Sequence, residues 1–106
     1  MRLEDKIILE RVVVGQDKQL NPTETIQQID LGKCIITPNS SAAKIKGNDG
    51  SDYVYSYLVI MRKPKDITLI PQANEKVRIT KKDGSIDMMC RVSGFVTLRR
   101  WLKIWL

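Results

Sequence analysis

The stretch Lys76-Val77-Arg78-Ile79-Thr80-Lys81-Lys82-Asp83-Gly84-Ser85-Ile86-Asp87-Met88-Met89-Cys90-Arg91-Val92 decides the fold class. Val77 and Ile79 alternate with Lys76, Arg78 and Thr80, the period of a half-buried strand. Ile86, Met88, Cys90 and Val92 alternate in the same way on the far side of Asp83-Gly84. That dipeptide predicts a type I′ hairpin turn, whose two central residues both need positive φ. One amphipathic hairpin with an apolar face on each arm calls for further strands to cover it.

Reading outward, the other apolar runs are rich in β-branched and aromatic residues. Ile7 to Val14 reads as a first strand, followed by a turn at Gly15-Gln16-Asp17-Lys18. Pro22 lacks an N–H, which makes its stretch loop or edge. Ile26 to Thr37 reads as a long second strand ended by Pro38. Alternation puts Ile29, Leu31, Lys33 and Ile35 on one face and Gln28, Asp30, Cys34 and Ile36 on the other. Gly32 marks a bulge or bend. Tyr53 to Arg62 reads as one continuous central strand, because both of its faces are partly apolar. Ile67 to Ile70 is a short apolar link closed by Pro71.

The segment Leu98-Arg99-Arg100-Trp101-Leu102-Lys103-Ile104-Trp105-Leu106 fits two periods. A helix would align Leu98, Trp101, Leu102 and Trp105. A strand would put Leu98, Leu102, Ile104 and Leu106 on one face, with Trp101, Lys103 and Trp105 on the other. Nine residues make a marginal helix, and a final strand is expected. The whole is a single all-β domain over 1–106, a small barrel or two-layer sandwich of about six strands. A long polar loop spans 38–52, and within it Ala42 to Lys46 can form a short strand.

The 106 residues include 18 Lys and Arg against 12 Asp and Glu, a net charge of +6. The excess is one-sided. Residues 1–53 hold seven basic and eight acidic side chains, residues 54–106 eleven and four. Such asymmetry fits a polyanion partner or a polar match between neighbouring subunits. Histidine is absent, which removes the commonest general base and most zinc sites. No glycine-rich phosphate loop appears and the carboxylates are scattered. No catalytic residue, metal site or cofactor is assigned, and a non-enzymatic role is expected. Cys34 and Cys90 sit in apolar surroundings and read as core thiols, with a disulfide open only if their strands are neighbours. The N-terminal residues lack the apolar run of a secretory signal and no stretch is long enough to span a bilayer. A soluble product made in the cytoplasm is expected.

Three features stand out as candidate contact sites. Asn39, Lys44, Lys46, Asn48 and Asp49 belong to the long polar loop, where the lysines could reach phosphate. Tyr53, Tyr55 and Tyr57 alternate, and on an exposed face such a row could stack single-stranded bases, although tyrosines equally cover cores and subunit interfaces. Arg99 and Arg100 adjoin Trp101 and Trp105, a pairing suited to anchoring a neighbouring subunit.

The layout resembles the head-closure proteins of tailed bacteriophages, also described as minor capsid or head–tail connector proteins. The resemblance runs from Ile7–Val14 through the polar loop Pro38–Asp52 and the Tyr-rich strand to Ala73-Asn74-Glu75-Lys76-Val77-Arg78-Ile79. Family members often carry x-G-D-x-V-x-I at that last position, and Asn74-Glu75 stands where Gly-Asp is usual. The Asp83-Gly84 hairpin, Val92-Ser93-Gly94-Phe95 and the apolar-basic end also fit. The resemblance implies a ring-shaped homo-oligomer in the virion neck, twelve-fold by the family pattern. It would lie between portal or adaptor and tail-completion proteins, seal packaged double-stranded DNA in the capsid and dock the tail. The polar loop would face the channel, and Tyr53, Tyr55, Tyr57, Arg99, Arg100, Trp101 and Trp105 would meet subunits or partners. No membrane contact is implied. The alternative is an OB- or SH3-like barrel binding single-stranded nucleic acid.

Overall fold

The computed structural model describes residues 3–39, 44–46 and 52–106. It is nearly all β, and seven antiparallel strands form one sheet that curls into a half-barrel. In chain order the strands are β1 (Asp5–Gln16), β2 (Pro22–Pro38), β3 (Lys44–Lys46), β4 (Asp52–Val54), β5 (Tyr57–Arg62), β6 (Lys76–Thr80), β7 (Asp87–Arg91), β8 (Gly94–Thr97) and β9 (Trp101–Trp105). The sheet runs β7-β6-β1-β2-β5-β9-β8, and β3 pairs with β4 as a separate hairpin. Between β5 and β6, Asp66 caps a single 3₁₀ turn at Ile67–Leu69 by accepting from Thr68 N at 2.9 Å.

The core lies on the concave face. Each of the five inner strands gives it two side chains: Ile7 and Leu9, Cys34 and Ile36, Val59 and Met61, Val77 and Ile79, Leu102 and Ile104. Ile70, Ile86, Val92 and Leu106 close the ends. Asp5 is buried among them at 6% exposure. Its carboxylate accepts from Ile36 N at 2.8 Å and Lys82 N at 2.9 Å, with the Lys81 ammonium 3.7 Å away. β1, β2 and the β6–β7 turn are thereby joined through one charge whose burial is matched by hydrogen bonds.

The hairpin over Lys76–Val92 forms as β6 and β7, but its turn differs from the type I′ expectation. Gly84 N donates to Lys81 O and Lys81 N to Ile86 O, so four residues bridge the strands. Only Gly84 takes positive φ, +77°. Asp83 instead accepts from Ser85 N and Oγ, which favours a wider turn.

Two further expectations are corrected. Alternation along β2 fails at Gly32, where Ile7 pairs with Gly32 and Ile8 with Asp30, leaving Leu31 as the extra residue of a bulge. Ile29 and Leu31 before it, and Cys34 and Ile36 after it, therefore all face the core, and Ile35 faces out. Tyr53 to Arg62 is not one strand. Asn39 N and Nδ2 donate to Ser56 O and Tyr55 O, while Ser56 N and Tyr57 N both donate to Leu106 O. Those bonds turn the chain between β4 and β5. The final segment is the expected strand, β9, between β5 and β8.

Candidate assembly surfaces

β1 and β2, at 12 and 17 residues, far outrun their neighbours. The last β1 residue paired with β6 is Glu10, and β2 pairs with β5 only from Cys34 onward. Six pairs, from Arg11–Gln27 to Gln16–Pro22, therefore form a bare two-stranded arm about 20 Å long. The molecule measures 52 × 31 × 28 Å accordingly. Val12 and Ile26 are cross-strand partners, exposed by 57% and 68%, and Val14 shares their face at 68%. A two-stranded ribbon with no third strand or packed face is marginal in water on its own.

The tip is built by Asp17. Its carboxylate accepts from Gln19 N at 2.8 Å and Asn21 N at 2.9 Å, bonds that hold its pKa below the usual carboxylate range. The turn leaves Leu20 at φ +63° and 73% exposed. A bulky residue in that conformation is held at a cost. The root is fastened by Arg11, whose guanidinium binds the Glu75 carboxylate bidentately and also donates to Thr68 O. Beside it, Glu10, Val12, Ile26, Ala73, Lys76 and Arg91 line much of a depression of about 450 Å³.

The convex face is divided in character. Over β7, β6 and β1 it carries Lys6, Lys76, Arg78, Asp87 and Arg91, with Arg78 paired to Asp87 at 2.9 Å. Over β2, β5, β9 and β8, around Lys103, the register instead brings together Ile35 with Ile60 and Leu58 with Trp105. These four are half-buried and stand opposite the core residues of their own strands. Trp101 joins them beneath Arg62, whose guanidinium lies 5.7 Å from the ring centre. The strand reading of the tail thus puts both tryptophans outside the core, Trp101 next to Arg99 and Arg100 in the exposed β8–β9 turn and Trp105 at the far end of β9 beside Leu58.

The remaining sequence candidates are dispersed. Asn39 is half-buried and bonded to the β4–β5 link. Lys44 is exposed on β3 opposite Val54, and Lys46 pairs with Asp52. Asn48 and Asp49 lie outside the described residues. The three tyrosines do not share one strand: Tyr53 is the register partner of Ile45 in the separate hairpin, Tyr55 sits in the link, and Tyr57 packs against the core. Cys34 and Cys90 are free, with β6 and β1 between their strands. Sequence reasoning did not single out the arm or its Arg11–Glu75 root. Its traces are the unalternating Val12-Val13-Val14 and the polar Thr23-Glu24-Thr25, which mark a ribbon without a clear core face but not where it becomes bare. Among the described residues, no three His, Cys, Asp or Glu come together to hold a metal ion. Compared with known proteins, the chain matches no family model, no curated protein and no solved structure.

Proposed function

We propose that this chain is a structural, ring-forming subunit of the head-closure type, placed in the virion neck between portal or adaptor and tail. In that role it seals packaged DNA and offers the tail its docking surface. The observation that carries this reading is the bare arm, with Val12, Val14 and Ile26 exposed and Leu20 at its tip. A ring needs a heterologous contact, two different surfaces that meet between successive copies. The arm supplies one, and the apolar half of the convex face, Ile35, Leu58, Ile60 and Trp105, supplies the other. The single-stranded nucleic-acid alternative loses support, because it draws on a row along one strand, whereas Tyr53 and Tyr57 belong to different strands and Tyr57 packs against the core.

Native mass spectrometry and light scattering on the full chain test the proposal. Closed oligomers of one size are expected, dispersing to monomer in the double variant Val14→Asp, Ile26→Asp with its β circular dichroism retained. A wild-type chain that stays monomeric throughout the micromolar range, alone and with a purified portal complex, overturns it.

A further inference from the structure

Arg62 and Lys63 end β5, Lys65 follows Pro64, and Arg99 with Arg100 form the β8–β9 turn. The fold locks these two segments together. Arg62 is the register partner of Trp101, and Lys63 N donates to Arg100 O at 3.0 Å. All five cations are exposed, and with Pro64 and Ile67 they line one open depression of about 530 Å³. Among the described residues none of the five takes part in an ion pair. The nearest acid in sequence, Asp66, turns its carboxylate to Thr68, accepting from N at 2.9 Å and Oγ1 at 2.6 Å.

Five like charges fixed in one depression repel each other and favour a partner that supplies regularly spaced anions. We infer that this depression is a binding site for the phosphate backbone of duplex nucleic acid. Three of the five are arginines, whose planar fork suits phosphate. Among the described residues the one indole beside the site is Trp101, and Arg62 already covers it, so that ring is not free to stack unpaired bases. Ile67 is the one exposed aliphatic side chain lining the depression, a small apolar area against the amphipathic face that membrane binding uses. The inference deepens the neck proposal by naming the surface that meets the packaged duplex, and rests on that proposal for choosing nucleic acid among polyanions.

The test is fluorescence anisotropy of a labelled random-sequence duplex with the full chain over a salt series. With four or five phosphates engaged, log K should fall against log salt with a slope of about −4. The double variant Arg99→Glu, Arg100→Glu should weaken binding tenfold or more and bring the slope to about −2. Lys63→Gln with Lys65→Gln gives a milder pair should the first fail to fold. The control, Lys76→Glu with Lys82→Glu, changes net charge equally on β6 and the turn after it, with β1 and β2 between them and β5, and should leave most of the affinity. Equal loss in control and test variants overturns the inference. So does tighter binding to a single strand, or binding to phosphatidylserine vesicles without binding to duplex. Oligomer mass is measured in parallel, so a chain that assembles but ignores duplex defeats this inference and not the ring.

Discussion

The Arg11 guanidinium holds the Glu75 carboxylate through Nε and Nη2, both at 2.9 Å, at the point where β1 leaves the cover of β6. Glu75 also accepts from Gln72 N at 2.8 Å. The arm is thereby tied to the segment between β5 and β6 by the strong, planar kind of hydrogen-bonded ion pair.

That pair makes stability depend on pH. The bond from Arg11 holds the Glu75 carboxyl below its usual range, with the Gln72 N–H helping. A carboxylate with a lowered folded pKa contributes stability above its unfolded pKa, and the contribution is lost as pH falls through the folded value. Urea unfolding should be flat from neutral to about pH 5 and weaken below it. Glu75→Gln should cost about 1–2 kcal/mol at neutral pH, since the pair is partly solvated, and should flatten the acid limb. An unchanged acid limb in that variant would show that the pair does not set it.

The alternation along β9 separates two kinds of apolar residue. Leu102 and Ile104 are fully buried, whereas Trp101 and Trp105 are half-buried on the opposite face. Leu102→Ala should cost about 2–5 kcal/mol of folding stability. Trp105→Ala should cost less in the monomer and, if copies meet through this face as proposed, should shift the assembly strongly towards monomer. Denaturation midpoints and light scattering on the same samples check both, and equal unfolding losses would place Trp105 in the core instead.

The two thiols should differ in reactivity. Burial pushes the Cys34 pKa up to about 12, and it raises that of half-buried Cys90 as well. A thiol whose folded pKa is raised contributes stability below its unfolded pKa and loses it as pH climbs towards the folded value. Disulfide-exchange labelling at neutral pH should modify Cys90 first and Cys34 only at the rate of global unfolding. Oxidation of the folded chain should form no internal bridge, because two strands separate the sulfurs.

Much of the fold was legible because strand alternation is a local signal. Val77, Ile79, Leu102 and Ile104 lie on the face that period two assigns them. The failures share a cause, which is a partner distant in sequence. Tyr53 to Arg62 alternates without a flaw, yet Asn39 and Leu106 take the backbone bonds that would have continued the strand. The outward turn of Ile35 needed the placing of the bulge residue, Leu31, and Gly32 only marked its neighbourhood. The arm was illegible as an arm, because the end of β6 at Lys76 decides where β1 becomes bare. The basic depression likewise joins Lys63 to Arg100 across 37 positions of sequence.

Gly32 has φ +92° and open space where a Cβ would stand. Gly32→Ala should therefore cost about 1–2 kcal/mol from backbone conformation alone. Gly32→Asn should recover part of it, because asparagine tolerates positive φ better. Chemical denaturation measures both, and a neutral alanine would mean that the bulge relaxes freely.

Leu20 offers the sharpest separation of folding from assembly. It adopts φ +63° at the arm tip with its side chain 73% exposed, so the fold gains little from it and bears its strain. Glycine accepts that conformation without cost but adds freedom to the unfolded chain, and the two effects oppose each other. Leu20→Gly should change unfolding free energy by less than about 1 kcal/mol. If the tip seats in a neighbouring copy, the same variant should raise the concentration at which oligomers form by tenfold or more. Analytical ultracentrifugation beside urea unfolding decides it: an oligomer unaffected by Leu20→Gly removes the tip from the contact and leaves Val12, Val14 and Ile26 to make it.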